Sequence, residues 1–186
     1  MGSLDADIMR FMVAHRTPAL TGLAEAVETA GDSRQVLGLL AFAGLALVIG
    51  LRAYRVGAAA VLALAVSWVV ADSLKALVQR PRPDLALIPL DGWAMPSGHA
   101  ARTLAVSVAV LVAAGWSASG ERRPAALALL WAVVAVNVAI GVFMVYLGAH
   151  WPTDVLAGWV LGAAIGWAAG RLCSVRARRA TRSAGR

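Results

Sequence analysis

Five long apolar stretches dominate the pattern of the chain, each interrupted by at most a few polar residues. They cover residues 36–51, 56–74, 98–116, 125–147 and 151–170. The shortest of them lie near the ~17 residues that a helix needs to cross hydrocarbon. Because backbone N–H and C=O groups in lipid must be satisfied within the segment, these spans are predicted to be helices. The pattern therefore predicts an all-α integral membrane bundle with about five transmembrane helices.

The first 34 residues have a different, mixed pattern. Apolar side chains recur at helical spacing among charged ones, and Thr17-Pro18 is a typical helix start. Two short amphipathic helices lying in the membrane interface fit this segment. Ordinary helices packed on the end of the bundle fit it equally well. We predict three parts: N-terminal helices (1–34), a transmembrane domain (35–172) and a basic cytoplasmic tail (173–186).

Composition supports a lipid environment. Apolar residues make up 60% of the chain and charged residues 15%, and the mean hydropathy is +0.74. A soluble domain of this size carries roughly 25% charged residues. The composition excludes a disordered chain and argues against a soluble globule. Heavy use of Ala and Arg is typical of a high-GC bacterium.

The formal net charge is +7, and its distribution predicts the orientation. Arginines cluster after the first span, after the third span and in the tail, at Arg52, Arg55, Arg122, Arg123 and along 171–186. The positive-inside rule places these segments in the cytoplasm of a multi-pass cell-membrane protein. Loop 75–97 and the turn before the last span then reach the extracytoplasmic face together. We expect the tail to lie near anionic lipid, and we expect no nucleic-acid partner.

Three polar clusters share that outer face. The first contains Lys75, which is the only lysine, with Arg80 and Arg82. Cations at a helix end are often only snorkelling side chains.

The second cluster is Pro96-Ser97-Gly98-His99. Ser97 is a good N-cap, and the helix start that follows would attract an anion.

Arg102 lies one turn deeper than His99, at an intramembrane position. A charge there is costly and usually faces the bundle interior. Arg102 could bind an anion, or it could pair with Asp72 as a structural ion pair.

The third cluster is His150-Trp-Pro-Thr-Asp154. Positions i and i+4 share a helix face, so the carboxylate can hold the imidazole in one tautomer. A hydrogen-bonded cap pair is the structural alternative. The same face continues with small residues at intervals of four (Gly158, Gly162, Gly166 and Gly170), which lets another helix approach closely. The His150 face is therefore predicted to point into the bundle.

Together the clusters supply cations, a helix N-terminus, two histidines and one carboxylate. Two histidines without clustered Cys or Glu make a poor metal site, and the single Cys173 excludes a multi-cysteine one. We therefore expect no metal and no cofactor. Phosphoryl transfer fits better: one histidine attacks phosphorus, and the other protonates the leaving oxygen.

These motifs resemble those of the type 2 phosphatidic acid phosphatase superfamily, the membrane lipid phosphate phosphatases. That family's pattern is Lys-x6-Arg-Pro, then Pro-Ser-Gly-His, then Ser-Arg-x5-His-x3-Asp. Matching residues are Lys75, Arg82 and Pro83, then Pro96 to His99, then His150 and Asp154, and the resemblance covers about 55–170. It implies that His150 is the nucleophile forming a phosphohistidine, that Asp154 activates it and that His99 is the general acid. Lys75, Arg82, Ser97 and the Gly98 amide would hold the phosphate.

The chain departs from the family in its third motif, where Phe143 and Met144 replace Ser-Arg. Losing one preorganised donor typically costs ~10²–10³ in rate. Arg80 or Arg102 is a candidate to compensate. The expected function is hydrolysis of a lipid phosphomonoester or diphosphate, such as phosphatidic acid, phosphatidylglycerophosphate or a polyprenyl (di)phosphate. The alternative is a weak or inactive family member that binds or transports a lipid phosphate.

Overall fold

The protein is a helical bundle, seen here in a computed structural model that describes residues 3–33, 42, 44–46, 48–115 and 123–183. Every regular element named for these ranges is an α-helix: α1 (Ser3–Ala14), α2 (Pro18–Asp32), α3 (Tyr54–Val78), α4 (Gly98–Ala113), α5 (Arg123–Tyr146) and α6 (Pro152–Ser183). The predicted all-α membrane fold is confirmed. Half of the first predicted span, 36–51, lies outside the described residues, and residues 42, 44–46 and 48–50 within it are helical.

Three segments in the described part of the chain are long and apolar enough to cross a membrane: Tyr54–Val78, Pro124–Tyr146 and Pro152–Ser174. Their outward surfaces carry large exposed apolar side chains, including Leu77, Trp131 and Val160. Such surfaces are stable in contact with lipid and not with water. The chain is a multi-pass membrane protein.

Helix α4 is shorter than these spans. Its 16 residues rise about 24 Å, against a hydrocarbon thickness of about 30 Å. It is also enclosed, because α3 and α6 both pack along it. The start of α4, which carries Ser97 and His99, therefore lies among the neighbouring helices.

A seam of small residues joins α4 to α6. A Cβ added at Gly162 would overlap the carbonyl oxygen of Ala101, and one at Gly166 would overlap that of Ala105. The facing alanines are fully buried. Only glycine allows the two backbones this approach, as the spacing of four residues predicts.

The N-terminal helices pack on the end of the bundle. Met9 of α1 and Ala24 of α2 are buried. The turn between these helices is fixed by Arg16, which donates hydrogen bonds to the carbonyls of Tyr146 and Leu85, and by the Tyr146 hydroxyl, which accepts from the Thr17 amide. The packed alternative is therefore the one observed, and the position of these helices relative to a membrane interface stays a prediction. At the other end of the chain, α6 continues as a helix into the basic segment.

Candidate active site

A cavity of about 220 Å³ opens where α2, α3, α4, the end of α5 and the residues just before α6 meet. Its wall is mostly polar and brings together the three sequence clusters. The lining residues are Glu28, Lys75, Arg82, Leu90, Asp91, Gly98, His99, Arg102, Met144, Ala149 and His150. The two histidines, 51 positions apart in sequence, thus share one cavity.

One backbone hydrogen bond connects the second and third clusters. The Ser97 amide donates to the carbonyl of Asp154 at 2.9 Å. The approach requires Gly158, because a Cβ there would lie 2.7 Å from the Ser97 carbonyl oxygen. The first glycine of the seam therefore fixes the start of α4 against the first turn of α6.

Asp154 completes the N-terminus of α6. Its carboxylate accepts a 2.8 Å hydrogen bond from the Trp151 amide, as an acidic side chain in a first helical turn can do. Its other oxygen accepts from Arg80 at 2.7 Å. The His150 Nδ1 lies 3.8 Å from the Asp154 carboxylate, which is longer than a hydrogen bond. Both side chains are buried, and a contact of this length in an active site without substrate often shortens when substrate binds.

Burial lowers the pKa of His150 below its ordinary value near 6.5, since an imidazolium is poorly solvated there. The nearby charges of Arg82 and Lys75 lower the pKa further, and Asp154 opposes them without reversing the direction. The neutral imidazole, which is the nucleophilic form, is therefore favoured.

Arg80 does not line the cavity. Its guanidinium donates to the carboxylates of Asp154 and Asp5 and to the Thr153 hydroxyl, at 2.6 to 2.7 Å. Asp5 in turn accepts from the amide and the hydroxyl of Thr153. Burial alone would raise the pKa of Asp5, but these hydrogen bonds lower it overall. Arg80 lies behind Asp154 and links it to α1. Its guanidinium does not face the cavity, so the structure does not support the substrate-binding role predicted for Arg80.

Arg82 lines the cavity and organises it. Its guanidinium donates to three backbone carbonyls, those of Ala149, Asp91 and Gly92. These bonds fix loop 84–95 to the residue that precedes His150. Lys75 lies on the wall from the last turn of α3.

The start of α4 supplies Ser97, Gly98, His99 and Arg102. Ser97 is fully buried and caps the helix, with its hydroxyl oxygen 3.5 Å from the Ala100 amide, and the other three line the cavity. The Arg102 guanidinium lies over the Trp68 ring at 4.8 Å, whereas Asp72 is exposed on α3.

Sequence reasoning missed the contribution of α2. Glu28 lines the cavity, and Gly31 packs so closely on the His99 ring that an added Cβ would overlap it. Glu28 lies off the apolar face of its helix, which is typical of a solvated position. Nothing in the local pattern indicates that this helix covers the start of α4.

Met144 occupies the wall beside His150. It is 1% exposed, and its carbonyl accepts from the amides of Ala149 and His150. No charge stands at this position. Among the described residues, no three His, Cys, Asp or Glu side chains gather as potential metal ligands.

The fold and the site define a multi-pass helical membrane protein with a cavity lined by three cations and two histidines. The sequence model of the PAP2 superfamily matches residues 56–178. The chain therefore belongs to the PAP2 superfamily.

Solved structures agree on the fold. A transmembrane PAP2 type phosphatidylglycerolphosphate phosphatase from Bacillus subtilis superposes with a TM-score of 0.77 at 24% identity, covering 91% of this chain and 84% of that one. LpxE from Aquifex aeolicus superposes with a TM-score of 0.69 at 25% identity, covering 90% of this chain and 95% of that one. A search of curated protein sequences finds no significant match.

Proposed function

We propose that the protein is a metal-independent phosphatase of the membrane that hydrolyses a phosphomonoester or diphosphate of a lipid. The observation that carries the proposal is the joint placement of His99 and His150 in a cavity lined by Lys75, Arg82 and Arg102. An anion would be attracted to those cations, and two imidazoles at one anion suit phosphoryl transfer.

The reaction divides into two displacements. In the first, His150 attacks phosphorus, the bond to the lipid oxygen breaks, and His99 gives that oxygen its proton. The Nδ1 of His150 faces Asp154, which leaves Nε2 as the attacking nitrogen. In the second, His99 takes a proton from a water molecule that attacks the phosphohistidine, which releases inorganic phosphate and restores both rings.

The remaining site residues act on the phosphate oxygens. Lys75 and Arg82 supply positive charge, and the Gly98 amide belongs to the first turn of α4, where unpaired N–H groups favour an anion. Ser97 does not line the cavity, and its hydroxyl oxygen caps α4 at the Ala100 amide, so it supports the turn that carries Gly98 and His99. Asp154 orients His150 and stabilises the imidazolium-like charge that develops on it.

The substrate class follows from the setting of the cavity. Exposed apolar helix surfaces surround the bundle, so an amphiphile can present its headgroup while its chains remain in lipid. Candidates are phosphatidic acid, phosphatidylglycerophosphate and polyprenyl (di)phosphates. One superposed structure is itself named a phosphatidylglycerolphosphate phosphatase. The arginine distribution favours a cavity on the extracytoplasmic face and a cytoplasmic tail.

A second candidate function has a specific observation in its favour. Met144 stands beside His150 where the family pattern has an arginine, so a transition-state contact is lost at that position. A protein that binds or moves a lipid phosphate without efficient turnover would tolerate this loss.

The deciding assay is phosphate release from dioctanoyl phosphatidic acid in detergent with a metal chelator. The phosphatase proposal predicts turnover in the wild type and its loss in His150→Ala. Arg171→Met is the control for the handling of a membrane variant, because Arg171 does not line the cavity. Binding of all three candidate lipids without turnover of any would reject the phosphatase and leave the binding protein.

A further inference from the structure

The cavity has no positive charge at position 144, where the family pattern has an arginine. Met144 is buried, and its carbonyl accepts from the amides of Ala149 and His150, so its backbone cannot swing away without disturbing the nucleophile. A thioether cannot neutralise charge on a phosphoryl oxygen. If the proposed phosphatase function holds, another group must supply that charge.

Arg80 is unsuited to this task. Its donors reach two carboxylates and one hydroxyl on the side of Asp154 away from the cavity. Withdrawing it would leave the buried Asp154 and Asp5 carboxylates without their cation, which is strongly unfavourable.

Arg102 has the required position. It lies one turn after Gly98 on α4 and lines the cavity together with His99, His150 and Met144. Its guanidinium lies against the first turn of its own helix, since a Cβ added at Gly98 would be 3.1 Å from an Nη atom. The charge is thus held beside Gly98, at the N-terminal turn of α4.

The Trp68 ring fixes this arrangement. The Arg102 Cζ lies over the ring, 4.8 Å from its centroid, which is within the range of a cation–π contact. The N–H groups of the guanidinium lie along the edges of its plane, which suits in-plane recognition of phosphate oxygens. An ammonium group lacks this planar geometry, so lysine would replace the charge without the orientation.

We propose that Arg102 supplies, from α4, the guanidinium contact to the transferring phosphoryl group that position 144 no longer supplies. The inference rests on the proposed phosphatase function and assigns one of its phosphate ligands. On this inference, the guanidinium that the third motif lacks at position 144 comes from α4.

The test is a rescue experiment on phosphate release from dioctanoyl phosphatidic acid. Arg102→Met should lower kcat/KM by about 10²–10³, the usual effect of removing one preorganised donor. Arg102→Lys should fall between this variant and the wild type. The double variant Arg102→Met/Met144→Arg should recover at least about tenfold over Arg102→Met, because the guanidinium returns to the same cavity from the other wall.

Arg171→Met is the matched control. Arg171 also lies over a tryptophan, with its Cζ 6.0 Å from the Trp167 ring, but it does not line the cavity. Its kcat/KM should stay within about twofold of the wild type. A purely structural loss in Arg102→Met would lower the melting temperature and would not be rescued by Met144→Arg.

The outcomes separate this inference from the proposed function. If Arg102→Met and Arg171→Met both keep the wild-type rate while His150→Ala is inactive, the phosphatase stands and the relocated contact is rejected. If the wild type releases no phosphate, inorganic phosphate becomes the probe. Phosphate should then raise the melting temperature of Arg171→Met and not that of Arg102→Met, and equal shifts would overturn the assignment.

Discussion

The first turn of α6 and the glycine seam that follows it on the same face are built on opposite principles. The turn holds buried charge: Asp154 accepts from Arg80 and from the Trp151 amide, and it faces His150. The seam holds no polar side chain, and its glycines touch the backbone of α4. The turn therefore depends on charge and hydrogen bonding, and the seam depends on glycines that have no side chain. A substitution that keeps shape should harm only the turn, and one that adds a methyl group should harm only the seam.

The largest effect is expected for Asp154→Asn. The change keeps the shape but removes the negative charge that stabilises the His150 cation, so phosphate release should fall by about 10⁴. Release is measured with dioctanoyl phosphatidic acid, alongside the melting temperature in detergent. Glu25→Gln is the matched control, since Glu25 is an acid of α2 that does not line the cavity. An Asp154→Asn protein that is folded and keeps a tenth of the wild-type rate would remove Asp154 from the mechanism.

Gly162→Ala should give the next largest effect, on stability. The added Cβ would overlap the Ala101 carbonyl and lie 3.1 Å from the Ala105 amide nitrogen. Forcing α4 and α6 apart should lower the free energy of unfolding by about 1–3 kcal/mol. Unfolding in mixed micelles with increasing dodecyl sulfate measures it. Wild-type resistance to dodecyl sulfate would mean that the helices are less tightly packed than the seam indicates.

The two regions also differ in what the sequence could predict. The glycine interval of four residues predicted the seam and the inward direction of His150, because one helix face is a local property. Apolar runs likewise predicted α3 to α6. The roles of Arg80 and Arg82 were not separable, since they lie two residues apart in a proline-containing loop. Which guanidinium enters the cavity depends on Asp5 and on the path of the loop. Glu28 was missed for the same reason: its position depends on how α2 docks.

A smaller effect is expected for Asp5→Asn, which tests whether α1 supports the turn. Asp5 holds Arg80 and Thr153 and does not line the cavity. Weakening these contacts of Asp5 should let Asp154 and His150 shift slightly. The shift should lower kcat by roughly tenfold and leave KM unchanged. Asp7→Asn is the matched control, because Asp7 is an exposed acid of the same helix that pairs with Arg10. Equal rates in the two variants would show that the turn needs no support from α1.

The pH dependence should reflect the burial of the turn. Because burial lowers the pKa of His150, its neutral form should remain more than half populated when the pH falls to about 6.5. The part of the rate that depends on this nucleophile should therefore drop by less than about twofold between about pH 7.5 and about pH 6.5. A kcat/KM profile from about pH 4 to about pH 9 measures it. A steep acidic limb centred above pH 6.5 would contradict a buried neutral nucleophile, and a flat profile would count against two catalytic histidines.

The smallest expected effect, Gly22→Ala, sharpens the interpretation of the seam. An alanine in place of a helical glycine gains about 1 kcal/mol of intrinsic helix stability wherever the methyl group fits. Gly22 in α2 is exposed, and nothing lies within 4 Å of an added Cβ, so this variant should be slightly more stable than the wild type. Gly162→Ala receives the same gain in intrinsic helix stability. The overlap with α4 must therefore cost more than this gain for Gly162→Ala to be destabilised. Subtracting one from the other isolates the cost of adding a methyl group to the seam. Equal destabilisation in both variants would mean that the loss at Gly162 is not a packing effect.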